Sequence, residues 1–365
     1  MKKKILIVVG TRPNFIKVTQ FPSVVREYAN LECKIVHTGQ HSDRAMSTAF
    51  FEQFNMQPDM FLNIKQGSPV AQMAEIMTEL EKKVLQYKPD IMIVPGDVNT
   101  TLAAALTANK MGVRIAHLEA GLRSFDYSMP EEFNRKLTDD LSDIFFVTEQ
   151  SGYDNLVNEQ HQKHKIHFVG NTMIDTLVAF SKKIDETPVL NEHRLEPKKY
   201  VLMTMHRPAT VDSKEGLSKL AEIIEAITRK LKLVFPVHPR TVKNMEAHGF
   251  LSIFKKNQNL LLTGPLDYFA FQKLVKDCLL VVTDSGGIQE ESTYLQVPCL
   301  TLRSNTERPS TVELGTNELI PFQREVIEER IEQVQQNTYK KGAIPPLWDG
   351  KATGRIVKIL SDFLA

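Results

Sequence analysis

The sequence has little cysteine, little net charge and no long apolar run, and each shortage excludes a class of protein. Its three cysteines, Cys33, Cys278 and Cys299, are odd in number and lie in or beside apolar runs. This usage argues against a disulfide scaffold and fits reduced thiols in the cytoplasm. The formal net charge is +1, so no overall basic field attracts nucleic acid or a membrane surface. An anionic ligand must therefore be held by a local cluster of donors.

No apolar run approaches the roughly 20 residues that span a bilayer. The basic start MKKK leads into Ile5–Val9, which we expect to be a buried first strand and not a signal-peptide core, because the run is short. The dinucleotide fingerprint GxGxxG is also missing, since the first strand is followed by GTRPNF. Nicotinamide-dependent chemistry is therefore disfavoured, and we expect no cofactor.

Two series of short, β-branched apolar runs alternate with helix-length amphipathic segments. The first series is Ile5–Val9, Ile35–His37, Ile91–Val94, Val113–Leu118, Ile144–Val147 and Ile166–Val169. The second is Tyr200–Met205, Leu233–Val237, Leu260–Thr263, Leu279–Thr283 and Cys299–Leu302. Continuous apolar strands between helices indicate parallel sheets covered on both faces. The predicted class is α/β, with two Rossmann-like doubly wound domains facing a cleft.

A charged segment without a strand signal, Ser181–Lys199, separates the two series and carries Pro188 and Pro197. It is the expected interdomain boundary. We therefore predict an N-terminal domain over residues 1–180 that carries catalytic carboxylates. A C-terminal domain over residues 181–350 would bind the anionic part of the ligand.

The last helix has one apolar stripe, formed by Ile356, Ile359, Leu360, Phe363 and Leu364 at helical spacing. Such a stripe must pack against another surface. Because the second series of strands is already complete, we expect the helix of residues 351–365 to pack back on the first domain.

Chemically distinctive residues follow directly after the apolar strands. They are Thr11, Arg12, Asp97, Glu119, His206, His238 and the run Ser285–Gly287. In open parallel sheets, ligands bind outside the carboxyl ends of the strands. Two facing domains would therefore bring these side chains into one cleft.

The stretch TDSGGIQEE (Thr283–Glu291) has the order strand, glycine turn, helix start. Gly286 and Gly287 allow backbone N–H groups to approach an anion, and the helix dipole favours negative charge there. A simple tight turn is the alternative interpretation. Glu291 is either a dipole partner of the helix or an acceptor for ribose hydroxyls.

The stretch MPEEFNRKL is predicted to start a helix near Pro130, so that Glu131 and Arg135 share a face at i, i+4. One interpretation is an ordinary surface salt bridge. The other is a site in which Glu131 joins Asp97 and Glu119. The cations available to such a site are Arg12, Lys17, Arg135, His206 and Arg308.

The spacing of His161, His164 and His167 suggests metal ligands, but these residues lie in a charged connector. We interpret the connector as a solvated loop and predict no metal site.

Taken together, the motifs resemble those of the non-hydrolysing UDP-N-acetylglucosamine 2-epimerase family. The matching stretches are GTRPNFIK (Gly10–Lys17), HTGQH (His37–His41), PGDVNTT (Pro95–Thr101), HLEAGLRS (His117–Ser124), PEEFNRKLTD (Pro130–Asp139), MHRP (Met205–Pro208), PVHP (Pro236–Pro239), TDSGGIQEE and TERP (Thr306–Pro309). The resemblance implies a fold like glycosyltransferase type B and a homodimer. It also implies reversible conversion of UDP-GlcNAc to UDP-ManNAc.

Roles follow from the resemblance, motif by motif. Uridine and ribose would be held by Arg12, Leu266, Phe271 and Glu291. The diphosphate would be held by Ser285, Gly286, Gly287 and Arg308. The sugar and its bond to phosphate would be surrounded by Lys17, Asp97, Glu119, Glu131, Arg135 and His206. Asp97, Glu119 and Glu131 are the candidates for proton transfer.

Three departures from the family pattern bear on specificity and regulation. The HR motif continues as Pro208-Ala209-Thr210, without the Glu-Asn of many members. Gln40, His41 and His238 are candidate regulatory residues, but Asn63–Gln72 offers only Lys65 where activated members have an arginine. The short segment before MPEE is similar to relatives that act on UDP-2,3-diacetamido-2,3-dideoxy-glucuronate. That sugar is the alternative substrate, and a UDP-sugar glycosyltransferase is a further alternative.

Overall fold

The computed structural model describes residues 2–39, 50–65 and 67–365, except for the side chains of Pro208 and Ala209. The chain divides into two compact units. Unit 1 is Met1–Ala179 together with Pro346–Ala365, and unit 2 is Phe180–Pro345. Each unit has its own sheet.

Unit 1 contains a seven-stranded sheet in the order β3-β2-β1-β4-β5-β6-β7. Its strands are β1 (Lys3–Val9), β2 (Leu31–His37), β3 (Met60–Phe61), β4 (Ile91–Pro95), β5 (Arg114–Leu118), β6 (Ile144–Val147) and β7 (Ile166–Phe168). All neighbouring strands run parallel. The strand order reverses between β1 and β4, which is where doubly wound sheets open a binding crevice.

The helices of unit 1 alternate with the strands, as parallel sheets require. They span Arg12–Ile16, Phe21–Val25, Pro69–Tyr87, Asn99–Lys110, Pro130–Leu141, Gln150–Asn158, Thr172–Ala179 and Ala352–Leu364, with a 3₁₀ turn at Lys163–Lys165. Proline stands in the first turn of several of them, where its missing N–H costs no hydrogen bond. No helix among the described residues is long and apolar enough to cross a membrane.

Unit 2 contains a six-stranded parallel sheet in the order β10-β9-β8-β11-β12-β13. Its strands are β8 (Tyr200–Thr204), β9 (Lys232–Pro236), β10 (Leu260–Thr263), β11 (Leu280–Thr283), β12 (Cys299–Thr301) and β13 (Asn317–Leu319). Its helices are Ser181–Asp185, Val189–Glu192, Pro208–Val211, Lys214–Thr228, Pro239–Ala247, Phe250–Lys256, Tyr268–Asp277, Gly286–Tyr294, Pro309–Glu313 and Arg324–Gln335. The order reverses between β8 and β11, as it does between β1 and β4.

The predicted α/β class with two parallel, doubly wound sheets is confirmed. Two short strands, β3 and β13, were absent from the prediction. The segment Ser181–Lys199, predicted as a boundary, forms two short helices of unit 2. It contributes Val189 and Leu190 to the apolar core around Tyr200, so it is part of that unit and not a free connector.

The last helix packs on Phe21–Val25 and Thr172–Ala179 of unit 1. Its buried apolar residues are Ile356, Val357, Leu360 and Leu364. The buried stripe is therefore rotated from the predicted one, because Phe363 is 37% exposed. The ring of Phe363 instead lies 5.1 Å from the guanidinium carbon of Arg114.

We predict that Leu360→Ala lowers the free energy of unfolding of unit 1 by about 2–5 kcal/mol, because the side chain is fully buried. The single tryptophan of the chain reports on this unit. Trp348 is buried and donates its indole N–H to the Thr148 carbonyl at 2.9 Å. Urea unfolding followed by Trp348 fluorescence measures the change. Lys358→Ala, at an exposed position of the same helix, is the control, and an unchanged midpoint for Leu360→Ala would contradict the packing described.

Candidate functional site

Unit 1 places two acidic residues just beyond the carboxyl ends of neighbouring strands. Asp97 follows β4 and Glu119 follows β5, and the two strands pair so that Pro95 lies opposite Leu118. The backbone N–H of Gly96 donates to the Leu118 carbonyl at 2.9 Å, which ties the two strand ends together. The register of the sheet thus brings the two carboxylate-bearing loops side by side.

A buried ion pair fixes Glu119. The Lys17 ammonium lies 2.6 Å from Oε2 of Glu119, and both side chains are less than a tenth exposed. A Cβ on Gly96 would lie 3.0 Å from that ammonium and 3.9 Å from Oε2 of Glu119, so the turn before Asp97 lies directly against the pair. Gly96 itself has a φ of +68°, which only glycine adopts at low cost.

Glu119 has a left-handed backbone conformation, with a φ of +71°. A non-glycine residue held there costs on the order of 1–3 kcal/mol, and such strain clusters at functional sites. Two hydrogen bonds hold the turn, because the N–H groups of Glu119 and Ala120 both donate to the Phe146 carbonyl at 3.1 Å. The turn aims the Glu119 side chain at Lys17.

Asp97 is held by Arg135 of the helix Pro130–Leu141. The Asp97 carboxylate lies 2.5 Å from one guanidinium nitrogen of Arg135, and Glu132 lies 2.6 Å from the other. Asp97 keeps a side chain that is 25% exposed, whereas Arg135 and Glu132 are buried. Asn134 adds an N–H that donates to the Asp97 carbonyl at 2.8 Å. The helix therefore orients Asp97 through both its side chain and its backbone.

Of the two interpretations of Glu131 and Arg135, the surface salt bridge is not found among the described residues; Glu132, one residue later, pairs with Arg135 instead. Burial alone would raise the pKa of Glu132, but the backbone N–H groups of Ser124 and Phe125, the Ser124 hydroxyl and Arg135 hold it below its ordinary value. Glu131 is half-buried and makes no ion pair with any residue in the described part of the chain.

Arg12 begins the short helix after β1, and its guanidinium carbon lies 5.4 Å from the centre of the Phe50 ring. Gly10 is required before it, because a Cβ there would lie 2.1 Å from the Thr100 hydroxyl oxygen. The GTRP stretch thus packs closely on the start of the helix Asn99–Lys110, beside the loop of Asp97.

Unit 2 has its own candidate site at the end of β11. Ser285 caps the helix Gly286–Tyr294, and Ser285, Gly286 and Gly287 are all partly exposed. Helix N-termini carry unpaired N–H groups and a positive dipole end, which suit an anion. A Cβ on Gly286 would lie 2.7 Å from a guanidinium nitrogen of Arg308, so the predicted phosphate donors do lie together.

Two buried carboxylates hold Arg308. Its Nε lies 2.8 Å from Oε2 of Glu290, and its Nη1 pairs with Glu307. Glu307 in turn accepts from Arg303 at 2.9 Å. A buried guanidinium requires such partners, and neither carboxylate was identified as a site residue from the sequence. The signal was present, because each stands next to a predicted site residue: Glu290 precedes Glu291 in QEE, and Glu307 precedes Arg308 in TERP.

His206 follows β8 and pairs with Asp284, the residue that follows β11. Nδ1 of His206 lies 2.6 Å from Oδ1 of Asp284. Burial alone would raise the pKa of Asp284, yet His206 and the backbone N–H groups of His206 and Arg207 lower it. The ionised carboxylate accepts a hydrogen bond from Nδ1 of His206 and so fixes the orientation of the ring. The His206 side chain is 61% exposed. Sequence analysis missed Asp284, although it stands inside the TDSGG motif.

The predicted uridine and ribose residues of unit 2 lie against one apolar core. Leu266 and Phe271 pack against the cluster that contains Leu274 and Ile288. Glu291 is buried beside Tyr268 and Gln272, and burial raises its pKa to about 7. A carboxyl group with that pKa can donate as well as accept a hydrogen bond near neutrality.

Of the three candidate regulatory residues, the structure describes His238 alone. His238 is exposed, and its Nδ1 accepts the N–H of Arg240 at 3.2 Å, which makes it the cap of the helix Pro239–Ala247. Gln40 and His41 lie outside the described residues.

The histidine triplet is spread over different local structures. His161 lies 3.8 Å from Asp140, His164 is in the 3₁₀ turn, and His167 is in β7. In the described part of the chain, no group of three or more His, Cys, Asp or Glu side chains is arranged to hold a metal ion.

A sequence profile of the UDP-N-acetylglucosamine 2-epimerase family matches residues 24–361. The chain belongs to this family. A UDP-N-acetylglucosamine 2-epimerase of Methanococcus maripaludis is 39% identical and covers 98% of each chain. A UDP-2,3-diacetamido-2,3-dideoxy-D-glucuronate 2-epimerase of Pseudomonas aeruginosa is 38% identical over 89% of this chain and 90% of the relative.

Solved structures agree with this family assignment. The UDP-GlcNAc 2-epimerase of Methanocaldococcus jannaschii, in complex with UDP-GlcNAc and UDP, matches with a TM-score of 0.88 at 39% identity, covering 98% of this chain and 99% of that one. A glycosyltransferase of kitacinnamycin matches with a TM-score of 0.59 at 11% identity over the whole of both chains, which shows a shared fold alone. The predicted likeness to glycosyltransferase type B is thereby confirmed.

The raised pKa of Glu291 predicts a pH-dependent cost in stability. Below about pH 4.5 the carboxyl group is protonated in both folded and unfolded chains. As the pH rises towards 7, the unfolded chain loses the proton and the folded chain keeps it. Stability therefore falls over this window, by up to about 3 kcal/mol at higher pH.

Glu291→Gln removes this cost, so the variant should match the wild type near pH 4.5 and exceed its stability at pH 8. Urea unfolding of both proteins at the two pH values, followed by circular dichroism, measures the difference. Glu222→Gln, at an exposed position of unit 2, is the control. A difference between Glu291→Gln and wild type that does not change with pH would contradict the burial argument.

Proposed function

We propose that the protein catalyses reversible epimerisation at C2 of a UDP-2-acetamido sugar, converting UDP-GlcNAc to UDP-ManNAc. The observation that carries the proposal is the pair of cation-held carboxylates, Asp97 and Glu119, at neighbouring strand ends of a chain from this family. Positioned carboxylates of this kind can act as the base and the acid in proton transfer at carbon.

The chemistry explains why carboxylates alone are insufficient. The C2 proton of a 2-acetamido sugar has no adjacent carbonyl group, so no side chain removes it unaided. It becomes acidic as the bond from C1 to the UDP oxygen breaks and positive charge develops at C1. The electron pair of the C2–H bond then forms the C1–C2 double bond, which gives 2-acetamidoglucal and UDP. Return of the UDP oxygen to C1, with a proton delivered to the opposite face of C2, completes the epimerisation.

Departure of UDP requires donors that stabilise negative charge on the diphosphate. In unit 2 we assign this role to the backbone N–H groups of Ser285–Gly287 and to Arg308, with His206 acting on the same group. The N-terminus of the helix Gly286–Tyr294 and the Arg308 guanidinium, which is paired with Glu290, support the assignment. Preorganised donors of this type contribute about 2.7–4 kcal/mol each when they meet charge that develops in the transition state.

In unit 1 we assign proton transfer at C2 to Asp97, Glu119 and Glu131, with Lys17 and Arg135 holding the first two. The exposure of Asp97 and the absence of an ion pair on Glu131 within the described chain support their access to substrate. By the same assignment, Arg12, Leu266, Phe271 and Glu291 hold uridine and ribose.

One of the relatives supports a second candidate substrate. The Pseudomonas aeruginosa relative is named for UDP-2,3-diacetamido-2,3-dideoxy-D-glucuronate and is 38% identical. Transfer of the sugar to an acceptor is disfavoured, because carboxylates that act at C2 have no role in that reaction.

The proposal extends to the state of the protein in the cell. We place the enzyme in the cytoplasm as a homodimer that needs no cofactor. Burial raises the pKa of Cys299 to about 11 and that of Cys33 to about 12, so these thiols stay protonated and unreactive. Light scattering on the purified protein tests the dimer.

Proton NMR of UDP-GlcNAc incubated with the protein and a chelator tests the reaction. Signals of UDP-ManNAc should appear and reach an equilibrium ratio with the substrate. Free UDP with free sugar would indicate a hydrolysing enzyme, and no change would exclude this substrate. The same experiment with UDP-2,3-diacetamido-2,3-dideoxy-glucuronate separates the two candidate sugars.

Glu131→Gln should lower turnover by about 10²–10⁴-fold, because glutamine keeps the shape of the side chain but takes up no proton at neutral pH. UDP affinity should be unchanged, since Glu131 is not among the residues assigned to UDP and the proposed diphosphate donors lie in unit 2. Steady-state kinetics and calorimetric titration with UDP provide the measurements.

The neighbouring Glu132→Gln is the matched control for stability. Glu132 accepts from Ser124, Phe125 and Arg135, so its amide variant should melt earlier than wild type, whereas Glu131→Gln should not. Near-normal turnover of Glu131→Gln would remove Glu131 from the mechanism. Early melting of that variant would make Glu131 structural.

A further inference from the structure

A fully buried aspartate in unit 1 connects the segments that carry the proposed reactive groups. Asp139, in the helix Pro130–Leu141, has no solvent exposure. Its Oδ1 lies 2.6 Å from Nδ1 of His117, and its Oδ2 accepts from Arg123 at 2.7 Å and from the Gly121 N–H at 3.1 Å. One carboxylate thus receives bonds from three points in the chain.

His117, in β5, extends the network to a second loop. Its Nε2 lies 2.8 Å from the carbonyl oxygen of Gly96, and the ring is fully buried. A carbonyl oxygen only accepts, so Nε2 carries a proton and donates it. Burial alone would raise the pKa of Asp139, but His117 and Arg123 lower it, so the ionised carboxylate is the acceptor in the hydrogen bond with Nδ1.

These bonds end beside the groups that the proposed function requires. Gly96 directly precedes Asp97, and Gly121 lies two residues after Glu119 in the strained turn. Asp139 itself stands one helical turn after Arg135, the partner of Asp97. The network therefore links the loop after β4, the loop after β5 and the helix that orients Asp97.

Stability alone gives a weak account of such a network. Replacing buried ion pairs by apolar side chains is often neutral or stabilising, so a buried pair is poor support for a purely stabilising role. A network that fixes two loops in one geometry has a second use, because displacement of a reacting group by about 1 Å can cost about 10²-fold in rate.

We propose that His117 and Asp139 are positioning residues, which hold Asp97 and Glu119 in the arrangement needed for proton transfer at C2. The inference rests on the proposed function for its consequence in catalysis. It has a structural consequence of its own, since loss of the network should loosen both loops whatever the substrate.

Two substitutions at His117 break the network at different points. His117→Asn places an amide N–H near the position of Nδ1, so it keeps the bond to Asp139 and loses Gly96. His117→Gln reaches towards the position of Nε2, so it keeps Gly96 and loses Asp139. Both should lower kcat by about 10²-fold while KM and UDP affinity change less than about threefold.

A second readout is independent of catalysis. Amide hydrogen exchange in peptides that cover residues 95–98 and 118–122 should accelerate at least about tenfold in both variants, because local opening becomes easier. Exchange in β1 should stay at the wild-type rate.

Asp175→Asn is the matched control, because Asp175 is also a buried carboxylate of unit 1 that receives three hydrogen bonds. It accepts from the N–H groups of Ala352 and Thr353 and from the Thr353 hydroxyl. This variant should lose stability and accelerate exchange at the start of the last helix, with kcat within about twofold of wild type.

His117 variants that fold, exchange normally in both loops and keep wild-type kcat would overturn the inference. Accelerated exchange with unchanged kcat would also overturn it, because the network would then be structural only. A wild-type protein that epimerises no UDP-sugar would refute the proposed function instead. The exchange measurements would in that case still decide whether His117 and Asp139 position the two loops.

Discussion

An ionised carboxylate is costly to bury unless cations or hydrogen-bond donors lie beside it, and the site in unit 1 depends on this constraint. Lys17 pairs with Glu119, Arg135 pairs with Asp97 and Glu132, and Arg123 pairs with Asp139, which is also hydrogen-bonded to His117. The charges alternate through one continuous region at the ends of β4 and β5. Because each ion pair also fixes a loop, the electrostatic requirement and the geometry of the site are satisfied by the same side chains.

In unit 2 the charges are reversed, because the groups proposed to bind the ligand are positive and acidic residues hold them in place. Its glycine turn and helix N-terminus present positive partial charge, and Arg308 adds a full one. Glu290 and Glu307 hold that guanidinium against Gly286, and Asp284 holds the ring of His206. Here acidic residues position the donors, whereas in unit 1 basic residues position the carboxylates.

The sequence predicted those features that depend on local pattern. Apolar runs of four or more residues became strands, and distinctive residues after them lie at the strand ends. The strands β3 and β13 were not predicted, because β3 has two residues and β13 has a single apolar residue, Leu319, so neither forms an apolar run. The last helix was predicted correctly, but Phe363 was expected to be buried and Val357 was not. Helical spacing does not specify how far a helix is rotated about its own axis on the surface against which it packs.

Partner choice was harder to predict than position. Glu131 and Glu132 are adjacent, and both reach Arg135 by helical spacing. The loop of Ser124 and Phe125 decides between them, because its N–H groups fold back onto Glu132. The ion pairs and hydrogen bonds of Asp139 and Asp284 could not be predicted for a related reason. Each carboxylate pairs with a residue that is distant in the sequence, and only the order of strands in the sheet brings the two close together. His238, predicted as regulatory, is a helix cap.

The origin of the hydrogen at C2 tests the central claim most directly. Turnover in deuterated water, followed by NMR or mass spectrometry of the recovered nucleotide sugars, reports whether the C2 proton exchanges with solvent. If carboxylates remove and return that proton while UDP departs and rejoins, deuterium accumulates at C2 of both epimers. Epimerisation with complete retention of the original hydrogen would contradict the account, because the C2–H bond would then never be broken by a group in contact with solvent.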